Sequence, residues 1–230
     1  MKAFIIHTGS GKSLEYANRS LDSFCCFRGW SPQLFQGVTP KTLSGFEERY
    51  PLEMQPASRA ADFLKQERHS LLAAKKSCSL NHYRLFKICA ELGEPIAVIE
   101  HDSMCVGDWQ DEEWQDILVL NADSAFDQDS LKRLRYRNLT HKDGVQEAIF
   151  SGLHYRHDPE IFGATMMPGT AAYAVTPRGA EKMVKVYEEK GWEQSDYIIN
   201  SAHVEIETLM PELFTFILPN LKTSHGINLC

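Results

Sequence analysis

The run IAVIE at residues 96–100 constrains the fold more than any other feature, because it leads from apolar residues straight into Glu100, His101 and Asp102. A strand that is apolar on both faces is typical of a parallel sheet covered on both sides. Ligands of such sheets bind in the crevice outside the carboxyl ends of the strands. The sequence therefore predicts an α/β protein with a site at the end of this strand.

Strands and helices alternate along the chain. The opening KAFIIHT, the helical run LEYANRSLDSFCCFRG and a short strand in SPQLFQGVTP form a β-α-β pattern, which favours a parallel sheet. The clearest strands are predicted at 3–7, 96–100, 117–121 and 171–176, helices at 79–93 and 177–191, and a last strand in ELFTFILP. Residues 41–76 are interpreted as a loop followed by a charged helix. We expect one Rossmann-like α/β domain over residues 1–230, with a mostly parallel central sheet and helices on both faces.

The charge and the cysteines limit the partners and the compartment. A net charge of −7 disfavours a nucleic-acid or anionic-membrane partner, although the basic cluster at 132–137 leaves a phosphate contact as an alternative. The first apolar run is too short for a signal peptide, and no run is long enough to span a membrane. The six cysteines show no C-x-x-C spacing. We expect a cytoplasmic protein with reduced thiols, held at a membrane only by a partner.

Glu100 and Asp102 flank His101 in an acid-x-acid triplet. Side chains alternate along an extended chain, so the two carboxylates are expected on one side and the imidazole on the other. Two such carboxylates can bind a hard cation such as Mg²⁺ or Mn²⁺, with a diphosphate and water as further ligands. The alternative is structural: Glu100 caps a turn and Asp102 accepts hydrogen bonds from backbone amides.

The surroundings of this triplet resemble glycosyltransferase family 25, the lipooligosaccharide and procollagen galactosyltransferases. The segments SLNHYRLFKICAELGEPIAVIEHD, GTAAYAVTPRGAEKMVK and QSDYIIN carry the resemblance, which spans about residues 3–200. Two positions depart from the family pattern: His101 replaces the middle acid of a Glu-Asp-Asp triplet, and Asn81 replaces the serine before the helix histidine. The replacement at His101 affects the expected metal binding, and the replacement at Asn81 affects the expected contact with the donor.

The resemblance implies a GT-A fold, a nucleotide-diphosphate sugar as donor and Mn²⁺ (or Mg²⁺) as cofactor. The implied reaction transfers a hexose, galactose or glucose first, to a hydroxyl acceptor such as a glycan of lipopolysaccharide biosynthesis. The implied catalytic residues are Asp196 and Asp102, and the implied metal ligands are Asp102, Glu100 and His225. The implied donor contacts are His7, Thr8, Arg19, His82 and Glu100, and the implied acceptor or sugar pocket contains Gly169, Thr170 and Tyr173.

Some of these residues have a structural alternative. Asp196 is a helix N-cap candidate that competes with Ser195, and His82 fits a half-buried core position. His225 lies near the end of the chain and fits a frayed tail equally well. The GSGK at 9–12 lacks the first glycine of a Walker A motif, so it does not predict a phosphate loop.

Two other functions stay open at this point. One is a catalytically silent nucleotide-sugar or glycan-binding protein, which the replacement at His101 suggests. The other is a glycosyltransferase acting on modified DNA bases, docked through the basic cluster at 132–137. The anomeric outcome and the oligomeric state are not determined by the sequence.

Overall fold

The computed structural model describes residues 1–56, 58, 60–65, 68–122, 142–148, 163–167 and 170–216. Within these ranges the strands are β1 (Lys2–His7), β2 (Ser31–Gln36), β3 (Ile96–Glu100), β4 (Ser103–Cys105), β5 (Ile117–Val119), β6 (Gly144–Glu147), β7 (Ala172–Val175), β8 (Ile206–Met210) and β9 (Phe214–Phe216). The helices are α1 (Gly11–Ser23), α2 (Leu43–Arg49), α3 (Ala60–Lys65), α4 (His69–Leu92), α5 (Pro177–Lys190) and α6 (Ser195–Ile198), with a short 3-10 helix at Phe24–Cys26. In this part of the chain no helix combines the length and the apolar character that crossing a membrane requires.

The central sheet has seven strands in the described residues, in the order β2-β1-β3-β7-β5-β8-β6. Strands β1, β2 and β3 are mutually parallel, and β5 is parallel to β8. Strand β7 is antiparallel to both β3 and β5, and β6 is antiparallel to β8. Five of the seven strands therefore run in one direction and end at the same edge. Because β7 runs the other way, it begins at the edge where β3 and β5 end.

Alternate residues of the strands pack on opposite faces of this sheet. On one face Phe4 joins a cluster that includes Phe86 of α4 and Tyr187 of α5. On the other face Ile5 packs in a cluster with Ala17 of α1 and Phe214 of β9. Helices cover both faces, as predicted, and the two-stranded sheet of β4 and β9 completes the second layer. The predicted fold class, an α/β domain with a mostly parallel central sheet, is confirmed.

Most predicted elements are present with changed bounds. The strand at 96–100 is confirmed, and the helix from Pro177 is confirmed with Gly191 directly after it. The helix predicted at 79–93 begins ten residues earlier, at His69. The prediction missed β4, β6 and β8. Each of these three is short, and each pairs with a strand far away in the sequence, so local patterns carry little signal for them.

The start of α5 explains the Gly-Ala pair at 179–180. Thr176 is the N-cap, and its Oγ1 accepts a hydrogen bond from the amide of Gly179 at 3.1 Å. A Cβ atom at Gly179 would lie 2.7 Å from the backbone oxygen of Asp116. The buried Asp116 carboxylate binds Arg178 and Lys182 of the same helix, and these cations hold its pKa below the usual range against the effect of burial. A glycine is therefore needed where α5 contacts the chain before β5.

We predict that Gly179→Ala lowers the free energy of unfolding by about 1–3 kcal/mol, because the added methyl group overlaps the Asp116 backbone. Gly45→Ala in α2 is the matched control, since no atom lies within 4 Å of its Cβ position and alanine favours helix. That variant is expected to be neutral or up to about 1 kcal/mol more stable. Urea unfolding monitored by circular dichroism measures both, and equal stabilities of the two variants would contradict the prediction.

Candidate active site

The end of β1 forms one side of the candidate site. His7 is buried, and its Nδ1 accepts a hydrogen bond from the amide of Gly9 at 3.1 Å. The amide of Thr8 donates to Oγ of Ser13 in α1 at 3.0 Å, which fixes the turn between strand and helix. Burial and, second, the nearby His101 lower the pKa of His7. This side of the site therefore presents a neutral imidazole and a polar turn.

An aromatic surface lies between the ends of β1 and β3. The ring of His101 stacks on Tyr16 of α1, with centroids 6.3 Å apart and planes inclined by 11°. The guanidinium carbon of Arg19 lies 5.9 Å from the centroid of the same tyrosine. His101 thus faces α1, and the predicted donor residue Arg19 is held beside it through Tyr16. Tyr16 is not among the predicted site residues, although its helical spacing of three from Arg19 is a signal for it.

The opposite side of Glu100 faces α4. His82 is fully buried, and its Nδ1 lies 2.9 Å from the hydroxyl of Tyr173. Its Nε2 lies 3.8 Å from Oε1 of Glu100, which is an ion-pair distance, and Nε2 makes no hydrogen bond. Cys78, one helical turn earlier, places Sγ 4.0 Å from the same Glu100 oxygen. The predicted half-buried core position is wrong, since His82 is fully buried, and its Nε2 has an ion-pair partner in Glu100 but no hydrogen bond.

The charges of His82 and Glu100 stabilise each other. Burial would lower the pKa of His82, but the nearby Cys78 and Glu100 raise it to about 9. For Glu100, burial opposes ionisation, yet His82 and then His101 bring the net pKa below its usual value. At neutral pH the arrangement is therefore a carboxylate beside an imidazolium, with 30% of the Glu100 side chain still exposed.

Thr170 connects Glu100 to Asp196. Its amide lies 3.3 Å from Oδ1 of Asp196 and donates to it, while its Oγ1 lies 3.4 Å from both that oxygen and Oε1 of Glu100. Asp196 lies in the first turn of α6, whose N-cap is Gln194 without a side-chain hydrogen bond. The N-cap alternative for Asp196 and Ser195 is therefore wrong. The start of β7 brings two carboxylates from separate elements to one hydroxyl.

The carboxylate of Asp102 is incompletely hydrogen-bonded. Strand β3 ends at Glu100 and residues 101–102 form a turn, so the alternation predicted past Glu100 does not continue. The two carboxylates still interact: burial and then the charge of Glu100 raise the pKa of Asp102 to about 6. Its Oδ1 is buried and makes no hydrogen bond. An unpaired buried carboxylate oxygen beside a second carboxylate is a place where a cation or a hydrogen-bond donor would be stabilising.

Other predicted residues have different positions. Gly169, His225 and the basic cluster at 132–137 lie outside the described residues. Tyr173 is fully buried and contacts His82, so any effect of it on a sugar would pass through that ring. Asn81, the departure before the helix histidine, accepts from the amide of Val38 at 2.6 Å and donates to its carbonyl at 3.3 Å. It therefore holds the loop after β2 to α4.

Comparison with known proteins identifies the class. The model of glycosyltransferase family 25, described as an LPS biosynthesis protein, matches residues 18–199, and the chain belongs to this family. The predicted family is confirmed, and the chain is a glycosyltransferase by family. A solved structure of the galactosyltransferase LgtC, in complex with donor and acceptor sugar analogues, is similar at 8% identity and a TM-score of 0.42, over 90% of this chain and 73% of that chain. A search of curated proteins found no match.

We predict that Asp102→Asn raises the stability of the metal-free protein at pH 7 by about 1–3 kcal/mol. The carboxyl has a pKa of about 6 in the folded chain, above the value of about 3.9 expected when unfolded, so wild-type stability falls as the pH rises through this window. The Asp102→Asn variant does not lose stability in this way. The difference in free energy of unfolding between this variant and wild type should therefore vanish near pH 4. Urea unfolding from pH 4 to 8 with a chelator present measures it.

Asp22→Asn on the exposed surface of α1 is the control, because it makes the same substitution outside the proposed site. Its free energy of unfolding at pH 7 should match that of wild type to within about 0.5 kcal/mol. If Asp102→Asn behaves in the same way as this control, Asp102 is not held in an unfavourable charged state.

Proposed function

We propose that this protein transfers a hexose, galactose or glucose first, from a nucleoside-diphosphate sugar to a hydroxyl of a glycan acceptor, with assistance from a divalent cation. Family membership supports transfer of a sugar. The observation that carries the finer proposal is the pair of carboxylates at the end of β3, where Asp102 Oδ1 is buried without a partner beside Glu100. We propose lipopolysaccharide or a related glycan as the acceptor class, and the cytoplasm as the location.

The residues present fit a hard cation. A bound Mn²⁺ or Mg²⁺ would offset the repulsion between the two carboxylates and would coordinate the free buried oxygen of Asp102. Asp102 would be the first ligand and Glu100 the second or the ribose contact, and His225 stays a proposed ligand outside the described residues. When bound, such an ion neutralises the charge that develops on the departing nucleoside diphosphate. His101 between the two acids keeps its ring on Tyr16, so its replacement of an acid removes one charge and leaves both carboxylates.

The donor nucleotide would lie over the end of β1. His7 and Thr8 form the turn there, and the stacked rings of His101 and Tyr16 offer a flat surface for a base, with Arg19 as the nearby cation for phosphate or ribose. The lowered pKa of His7 keeps its ring neutral, so it acts by hydrogen bonding. His82 would act on the donor indirectly, by fixing Glu100.

The acceptor would enter near the start of β7. In the reaction the bond between the anomeric carbon and the diphosphate oxygen breaks, and a bond from that carbon to the acceptor oxygen forms. If the configuration inverts, a carboxylate must take the hydroxyl proton, and Asp196 is the candidate. Thr170 holds Asp196 through its amide and hydroxyl, and with Gly169 it makes up the proposed sugar pocket. The fully buried Tyr173 would act on this pocket only through His82.

We predict that Asp102→Ala lowers the rate of transfer by about 10²–10³-fold, because it removes the proposed electrostatic support of the leaving group. Purified protein with Mn²⁺ is assayed against a panel of nucleoside-diphosphate sugars by release of nucleoside diphosphate, with and without glycan acceptors. Asp196→Asn should lower transfer without weakening donor binding, and Asp22→Asn should match wild type.

Three outcomes separate this proposal from the alternatives. Activity that Asp102→Ala leaves unchanged would overturn the role of the carboxylate pair. Metal-independent binding of nucleotide without turnover of any donor would support a silent binding protein of the same fold. Binding of duplex DNA that weakens steeply with salt would favour a DNA-base acceptor.

A further inference from the structure

We infer that Cys78, His82 and Glu100 form a binding site for Zn²⁺, distinct in its chemistry from the Mn²⁺ site proposed above. The three ligand atoms, Sγ, Nε2 and Oε1, lie within 4.8 Å of one another. They come from two elements only, since Cys78 and His82 lie one turn apart on α4 and Glu100 ends β3. Residues four apart on a helix share a face, so both side chains are directed at the same carboxylate.

The buried histidine is the observation that points to a ligand. His82 has no exposed surface, and its Nε2 has no hydrogen-bond partner. Leaving a buried polar atom unpaired is costly, and native structures rarely do so without a reason. The other ring nitrogen, Nδ1, lies 2.9 Å from the hydroxyl of Tyr173. Metal-binding histidines are oriented in this way, with one nitrogen on an oxygen partner and the second on the ion.

The distances fit a tetrahedral ion after small shifts. Zinc bonds of about 2.0–2.3 Å at tetrahedral angles place ligand atoms about 3.4–3.6 Å apart. The Nε2 to Oε1 and Sγ to Oε1 distances are 3.8 and 4.0 Å, so both need to shorten by a few tenths of an ångström. Sγ and Nε2 lie within 4.8 Å of each other, so they need to approach by at most about 1.4 Å, which is within the reach of the two side chains. The backbone of α4 and β3 can therefore stay in place.

The site has a fourth position and a path to solvent. Oγ1 of Thr170 lies 3.4 Å from Oε1 of Glu100, and Oγ of Ser195 lies 3.6 Å from Sγ of Cys78, so hydroxyl groups border the open side. Cys78 and Glu100 are partly exposed, which gives an ion access from that side. Three protein ligands with a fourth position for water is the arrangement of open zinc sites.

The donor set selects the metal. A thiolate, an imidazole and one carboxylate favour Zn²⁺ and Co²⁺ over Mg²⁺ and Mn²⁺, which prefer oxygen ligands. On coordination the thiol and the imidazolium each release a proton to the solvent. Because Glu100 takes part in both sites, a bound zinc ion withdraws it from the donor side. That consequence, inhibition of transfer by Zn²⁺, rests on the proposed function, whereas zinc binding itself does not.

The experiment uses the full chain with Cys25, Cys26 and Cys230 changed to serine, because the adjacent Sγ atoms of Cys25 and Cys26 are 3.5 Å apart and exposed and offer competing thiols. This parent is treated with a chelator, kept reduced with a phosphine, and titrated with Zn²⁺ against a chromophoric chelator. We expect one Zn²⁺ per chain. Co²⁺ should give a thiolate-to-metal charge-transfer band in the near ultraviolet.

Further variants assign the ligands. Cys78→Ser in the parent should abolish the Co²⁺ band and weaken Zn²⁺ binding at least about tenfold, and Tyr173→Phe should weaken it by about 10–100-fold while keeping the band. Cys105→Ser, a buried cysteine in the other core cluster, should match the parent. Circular dichroism confirms that each variant is folded.

Absence of stoichiometric Zn²⁺ binding in the folded parent, or a Co²⁺ band that survives Cys78→Ser, overturns the inference. Asp102→Ala separates this site from the transferase proposal, because it should lower Mn²⁺-dependent transfer by about 10²–10³-fold and leave Zn²⁺ binding within about threefold of the parent. Zinc binding without any transfer would leave the zinc site standing and overturn the proposed function, and transfer without zinc binding would do the reverse.

Discussion

The candidate site depends on the pairing of β3 with the antiparallel strand β7. The amide of Glu100 donates to the carbonyl of Ala171 at 2.7 Å, and Ile99 lies opposite Ala172 in the register. This pairing places Thr170 at the end of β3, against Glu100 on one side and Asp196 on the other. A parallel strand in the same position would end at this edge, and residue 170 before its start would then lie at the opposite edge of the sheet. The direction of one strand therefore assembles residues separated by nearly a hundred positions.

Without a bound ligand, the charges at this edge of the sheet lower the stability of the folded protein. Glu100 is stabilised as a carboxylate by His82, whereas Asp102 is destabilised by burial and by Glu100 itself. The protein keeps a buried carboxylate oxygen and a buried imidazole nitrogen unpaired within one small region. Interiors normally pair such atoms, and exceptions concentrate where a ligand supplies the missing partner. Both residues interact with Glu100, so this one carboxylate is shared by the two proposed ion sites.

His82 shows how much a local sequence pattern can predict about a side chain. A histidine beside aromatic residues on an amphipathic helix fits a core position, and the ring is indeed buried. Nothing in the helix reveals that Glu100 lies 3.8 Å from it and Tyr173 2.9 Å from it, because these partners come from β3 and β7. Cys78 was overlooked for the same reason: its spacing of four from His82 becomes meaningful only when a third ligand is brought to the same face.

Contiguous residues predict the apolar strand that ends in Glu100, the β-α-β opening, the Pro-to-Gly limits of α5 and the family resemblance. They also predict carboxylates at a strand end. The tertiary structure sets the antiparallel direction of β7, the link that Thr170 makes between Glu100 and Asp196, and the turn in which Asp102 has a buried unpaired oxygen. The direction of a strand and the contacts between distant parts of the chain are set by the packing of the whole sheet, and no local run of residues encodes them.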